Sequence, residues 1–116
     1  MTSAERVFLR ELVEEGNGEA ADRLAELAAA DEDVDTLKYL IDAGNESAGD
    51  RLAELAAAKQ DIGTLTYLVD CGNGTAANRL AEIAAEQNDV LTLQRLVDEG
   101  SETAETLLGR LIRETK

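Results

Sequence analysis

The sequence has no histidine, no proline and no tryptophan, one cysteine, and three aromatic residues in all, Phe8, Tyr39 and Tyr67. Each scarcity excludes something. Without histidine the commonest general base and metal ligand is gone, and no Ser-His or Cys-His nucleophilic pair can form. A lone cysteine, Cys71, allows neither an internal disulfide nor a thiolate zinc site. It occupies the position held by Ala43 and Glu99 one repeat away on either side, with no cation beside it in sequence, and reads as a tolerated small residue. Without proline nothing forces a break inside a helix. With three aromatics the core must be aliphatic.

Positive charge is also scarce. Eleven Lys and Arg stand against 25 Asp and Glu, a formal charge of −14. That argues against nucleic-acid binding, which needs clustered cations facing phosphates, and against docking on anionic membrane surfaces. No apolar run reaches the ~18 residues of a membrane span. The start, Met1-Thr2-Ser3-Ala4-Glu5-Arg6, lacks the basic stretch and apolar core of a signal peptide, so a cytoplasmic location is expected. Paired carboxylates are the one acid–base option left. The expectation is therefore no enzyme, no cofactor and no metal.

What is abundant is Ala and Leu, the strongest helix formers, in a pattern that repeats. Arg23-Leu24-Ala25-Glu26-Leu27-Ala28-Ala29 returns at 51–57 and, with Ile83 for Leu, at 79–85. Leu37, Leu65 and Leu93 recur on the same 28-residue step, as do Leu40, Leu68 and Leu96, and Gly16, Gly44, Gly72 and Gly100. Each unit divides into helix A, near 19–30, and helix B, near 34–43. Asp33, Asp61 and Asp89 precede helix B, where a carboxylate accepts orphan N–H groups and opposes the dipole. The recurring glycines follow helix B, where a left-handed cap favours Gly. Asn17, Asn45 and Asn73 then begin the next helix.

The fold class is thus all-α, an α-solenoid of stacked antiparallel helix pairs with eight short helices. The chain reads as one repeat domain over 1–116. A half-repeat cap at 1–16 precedes full repeats at 17–44, 45–72 and 73–100, and a half-repeat cap at 101–116 closes it. Helices this short are unstable alone, so stability must come from stacking on neighbours. Arg6, Arg10 and Glu11 are expected to give the first helix a charged outer side. Val7, Phe8, Leu108 and Ile112 are candidates for apolar end faces, through which weak self-association is expected.

The run Leu55-Ala56-Ala57, Asp61, Leu65, Leu68-Val69 and Gly72 is similar to the helix pair of ankyrin repeats. The unit is 28 residues rather than about 33, which leaves no room for a β-hairpin finger. The Thr-Pro-Leu-His motif is missing, with Arg51 and Glu54 at its Thr and His positions. The chain also resembles bacterial arrays of Ala/Leu-rich helical hairpins of the same length. These likenesses imply a right-handed stack, with A helices lining the usual binding surface, and a role in binding other proteins. The near-identical copies also suit an alternative, a designed or consensus array with no natural ligand, whose role is folding or self-assembly.

Three local motifs have plainer and sharper readings. Asp31-Glu32-Asp33-Val34-Asp35 begins like a calcium loop, but Thr36 stands where that loop needs Gly and Asp42 where it needs Glu; an acidic helix start accounts for it. Gly16-Asn17-Gly18 and Gly72-Asn73-Gly74 have no preceding strand or following Lys, and are turns rather than phosphate loops. Tyr39 and Tyr67, with Arg95 in the same slot, lie opposite Leu37 and Leu40 on the helical wheel and are expected to form an exposed ridge suited to a partner.

The second candidate surface is on helix A. With Leu24 inward, Glu26 points about 200° away and Asp22 about 160°. Asp50 and Glu54, and Asn78 and Glu82, repeat this arrangement. These residues should form acidic rows that suit a basic peptide or protein partner. Arg23, Arg51 and Arg79 on the flank are expected to pair with neighbouring Glu, which would make the rows a solvated structural ladder.

Overall fold

The computed structural model describes residues 3–114, which contain eight α-helices and no strand. They are α1 (Ser3–Glu14), α2 (Gly18–Ala30), α3 (Val34–Asp42), α4 (Glu46–Ala58), α5 (Ile62–Asp70), α6 (Gly74–Glu86), α7 (Val90–Asp98) and α8 (Glu102–Glu114). The even-numbered helices are the A helices, each of 13 residues, and α3, α5 and α7 are B helices of nine. The fold is all-α, a repeating array of helix pairs.

Two alternating turns set the repeat. After each B helix, Gly44 lies at φ +94° and donates its N–H to the Ile41 carbonyl at 2.9 Å, while Asn45 N–H reaches back to Leu40 O at 2.9 Å. This is the six-to-one, five-to-two pattern of a Schellman cap. Asn45 then caps the next helix, its Oδ1 accepting from Ala48 N–H at 2.7 Å. The A-to-B turn uses the same geometry: Asp33 N–H bonds Ala28 O at 2.8 Å, and Asp33 is the N-cap of α3. One residue thus ends one helix and starts another, which explains why three residues suffice for each reversal.

The A-to-B turn has no glycine. Glu32, Gln60 and Asn88 hold its left-handed position, at φ +55°, +52° and +54°, a conformation that costs most L-residues ~1–2 kcal/mol. The two turn types therefore respond oppositely to substitution. A β-carbon built at Gly72, at φ +88°, meets nothing within 4 Å, so Gly72→Ala should cost ~1–2 kcal/mol through backbone strain alone. Gln60→Gly relieves that same strain and should leave stability unchanged or raise it by up to ~1 kcal/mol. Urea unfolding of both variants checks this; equal losses in the two would contradict the assignment.

The described residues gather into two compact units, within 3–55 and 56–114, with the division inside α4. In the first, α2 packs against both α1 and α3. Leu9, Leu24, Ala25, Ala28, Leu37, Leu40, Leu52 and Ala53 form its buried core. In the second, α6 contacts α5, α7 and α8, and α7 contacts α8. Leu65, Leu68, Leu80, Ala81, Ala84, Leu93, Leu96 and Leu108 form that core. In α2, α4 and α6 the buried arc differs from the Ala20, Leu24, Leu27 and Ala28 face that the periodicity suggests. Ala25, Ala53 and Ala81 are wholly buried, while Leu27 and Leu55 are only half-buried. An A helix touches more than one neighbour, as α6 does, so its apolar arc must exceed one stripe. Alanine there lets α6 and α8 approach closely.

Two expectations about the end helices need correction. Leu108 is buried in the second unit, where α8 packs on α6 and α7, so it is not part of an exposed end face. Arg6 does not point outward: it turns toward the start of α3, as described below. Val7, Phe8 and Ile112 are exposed as expected.

Candidate partner-binding surface

All six helix-A residues singled out from the sequence, Asp22, Glu26, Asp50, Glu54, Asn78 and Glu82, are exposed. Their local partners differ. Arg23 donates to Glu26 at 3.2 Å, and Arg79 to Glu82 at 3.1 Å, each one turn along its own helix. Pairs so exposed contribute ~0–1 kcal/mol, so they order the row without fixing it. Asp22 acts differently, accepting from Asn45 Nδ2 at 2.8 Å while Asn45 Oδ1 caps α4. The carboxylate thus orients the cap of the following A helix.

The B-helix slot holds Tyr39, Tyr67 and Arg95. Tyr67 and Arg95 are exposed, but Tyr39 is half-buried, which corrects the expectation of a fully exposed ridge. The cause is the Arg10 guanidinium, 4.2 Å from the Tyr39 ring centroid, a cation–π contact. The Tyr39 hydroxyl lies 3.5 Å from Glu14, too long for a strong bond. Arg95 repeats the relationship in the second unit: it pairs with Asp70 of the preceding B helix at 3.2 Å and with Glu99 of its own at 3.4 Å. This slot links successive B helices.

Sequence reasoning missed a polar cluster at the start of each B helix. Asp33 accepts from Thr36 N–H at 3.1 Å through one oxygen and from the Thr36 hydroxyl at 2.6 Å through the other. Asp61 with Thr64, and Asp89 with Thr92, repeat both bonds. The 28-residue recurrence of these threonines was a visible signal. In the first unit Arg6 also pairs with Asp33 and lies 3.9 Å from Asp31. Partial burial raises the Asp33 carboxyl, but the Thr36 hydroxyl and N–H, together with the Arg6 guanidinium, outweigh it and hold the group below its ordinary value. Bonds from Thr92 lower Asp89 in the same direction.

Among the described residues no group of three or more Cys, Asp or Glu is placed to hold a metal ion, and no helix is long and apolar enough to cross a membrane. An open groove of about 670 Å³ lies in the second unit beside the turns that precede α6 and α8. Its lining carboxylates include Asp70 and Glu99, both exposed and already engaged by Arg95. Cys71 is exposed at the C-cap of α5. No family model, curated protein or solved structure matches the chain.

Proposed function

We propose that this chain is a non-catalytic helical-repeat scaffold whose A helices bind a basic protein segment. The observation that carries the reading is the exposure of Glu26, Glu54 and Glu82, one on each of α2, α4 and α6 in the same slot, on a chain of net charge −14. Exposed carboxylates attract and steer Lys/Arg-rich partners, and their weak pairing with Arg23 and Arg79 costs little to exchange. The absence of His from the sequence, and the engagement of the groove residues Asp70 and Glu99 by Arg95, favour binding over catalysis. The resemblance of the repeat's sequence to the helix pair of ankyrin repeats supports the same class. A second reading, an array whose role is assembly, is favoured by the exposure of Val7, Phe8 and Ile112.

A Lys/Arg-rich peptide titrated against the protein should bind, with affinity that falls as salt rises through ~0.1 M, where the screening length is ~10 Å. Substituting Glu26, Glu54 and Glu82 together by Gln should weaken binding about tenfold, the equivalent of ~1.4 kcal/mol, with the melting temperature nearly unchanged. Unchanged binding with a large loss of stability would make these residues a structural ladder and move the surface to Tyr67 and Arg95.

A further inference from the structure

The groove of about 670 Å³ in the second unit is bounded by two like turns, Gly72-Asn73-Gly74 ahead of α6 and Gly100-Ser101-Glu102 ahead of α8. It departs from the repeat in two respects. In the first unit Asn45 Nδ2 donates to Asp22 at 2.8 Å, which ties the turn ahead of α4 to the preceding A helix. In the groove the Asn45 slot holds Ser101 and the Asp22 slot holds Asn78. Ser101 keeps the capping role, its Oγ accepting from the Ala104 N–H at 3.0 Å, and the Asn78 carboxamide is exposed in the lining. The second departure is in charge. Asp70 and Glu99 both line the groove, and one repeat earlier their slots hold Asp42 and Cys71. Arg95, whose slot holds Tyr39 and Tyr67 in the other repeats, joins the two carboxylates at 3.2 Å and 3.4 Å. A second carboxylate and the cation that bridges it to the first thus enter the same repeat together.

We infer that Arg95 is an internal stand-in for a partner's cation, and that the groove seats an extended basic segment whose Arg or Lys displaces it from Asp70 and Glu99. This rests on the reading of the chain as a binder of basic segments, and adds to it a seat and a contact that keeps the seat occupied. Each part of such a segment has a counterpart. The Asn78 carboxamide carries a donor and an acceptor, which match the C=O and N–H of an extended backbone. β-Carbons at Gly72, Gly74 and Gly100 would meet nothing within 4 Å, so the turns leave room for a backbone to approach. The stem of a Lys or Arg can lie on the half-buried Val69 and Ala77 while its head stays with the carboxylates in water. The charged residues of the lining are Asp70, Glu99 and Glu102, all acidic, so a cation is the charge that fits. Displacing Arg95 costs little. All three side chains of its pairs are exposed, and pairs in that setting are weak.

The probe is a short fluorescent peptide of alternating Arg and Gly, titrated against the whole protein by anisotropy. Arg95→Gln should tighten binding about threefold, the scale of an exposed pair, because it frees both carboxylates. Lys38→Gln makes the same change in net charge on α3 of the first unit, and should tighten binding less. Asn78→Ala and Glu99→Gln should each weaken binding about threefold or more, with circular dichroism confirming that every variant is folded. If Arg95→Gln does no more than Lys38→Gln, or weakens binding, the groove is not the seat. A loss of affinity in the Glu26, Glu54 and Glu82 triple variant would then leave the A-helix surface standing without it. Binding absent up to ~1 mM in both the wild type and Arg95→Gln would overturn the basic-segment reading and the groove together.

Discussion

Leu68→Ala should lower the unfolding free energy by ~2–5 kcal/mol, and Leu52→Ala by a similar amount. Both side chains are 1% exposed, and each belongs to an aliphatic core with little to fill the space it leaves. Buried neighbours such as Ala53, Ala56, Ala76 and Ala81 have no rotamers with which to collapse into a cavity, so the upper part of the range is expected. Domains of this kind are stable by only ~5–15 kcal/mol, so one such loss removes a large fraction of the total. The nine-residue B helices cannot persist alone in water, so loss of packing at Leu68 should appear as loss of helix rather than as a local dent. Urea titration followed by circular dichroism measures both. A cost no greater than that of an exposed change such as Thr106→Ala would mean that the assigned inward face is wrong.

The sequence made the helices legible because the same answer is written in it repeatedly. The Leu24, Leu52 and Leu80 series marks the A core, the Leu40, Leu68 and Leu96 series the B core, and Asp33 and Gly44 the ends. The observed helix boundaries fall within one residue of those expected. What periodicity cannot supply is which neighbour covers a given flank. Ala25 sits to one side of the Leu24 stripe, and only contact with a second helix buries it. Tyr39 points away from its own core, yet the Arg10 side chain of the preceding B helix comes to it. Leu108 belongs to the final helix, but the packing of α8 on both α6 and α7 suffices to bury it. Arg6 lies where the later repeats carry Val34, Ile62 and Val90, and a hydropathy pattern cannot foresee a guanidinium turning to Asp33. The candidate surface was legible only as exposure. All six acidic-row residues are exposed, but their repetition in each copy reflects the array's own regularity, and a ligand leaves its mark in differences between copies.

Asp33→Ala should cost ~1–2 kcal/mol, at the upper end of what an N-cap contributes, and more than Asp89→Ala. Asp89→Ala loses two bonds from Thr92; Asp33→Ala loses the equivalent pair from Thr36 and also strands Arg6, whose guanidinium has turned inward toward it. The effect should depend on pH in one direction. The Asp33 carboxyl titrates below its ordinary 3.8 in the folded protein, so ionisation favours folding. Its contribution is complete above about pH 5, and it is lost as pH falls through the lowered folded value. Protonation of the many exposed carboxylates acts oppositely over part of that range, because it relieves the repulsion of a −14 chain. Melting of the wild type alone therefore mixes two effects, and Asp33→Asn separates them. Asparagine caps nearly as well as aspartate but carries no charge for Arg6 and does not titrate. The wild type should melt above Asp33→Asn at pH 6, and the gap should narrow as pH falls below 3.8 and through the lowered folded value, while both proteins share the change in overall repulsion. A gap that persists undiminished at pH 2.5 would show that Arg6 and Asp33 are held together by packing rather than by charge, and that the first helix is fastened to α3 in some other way.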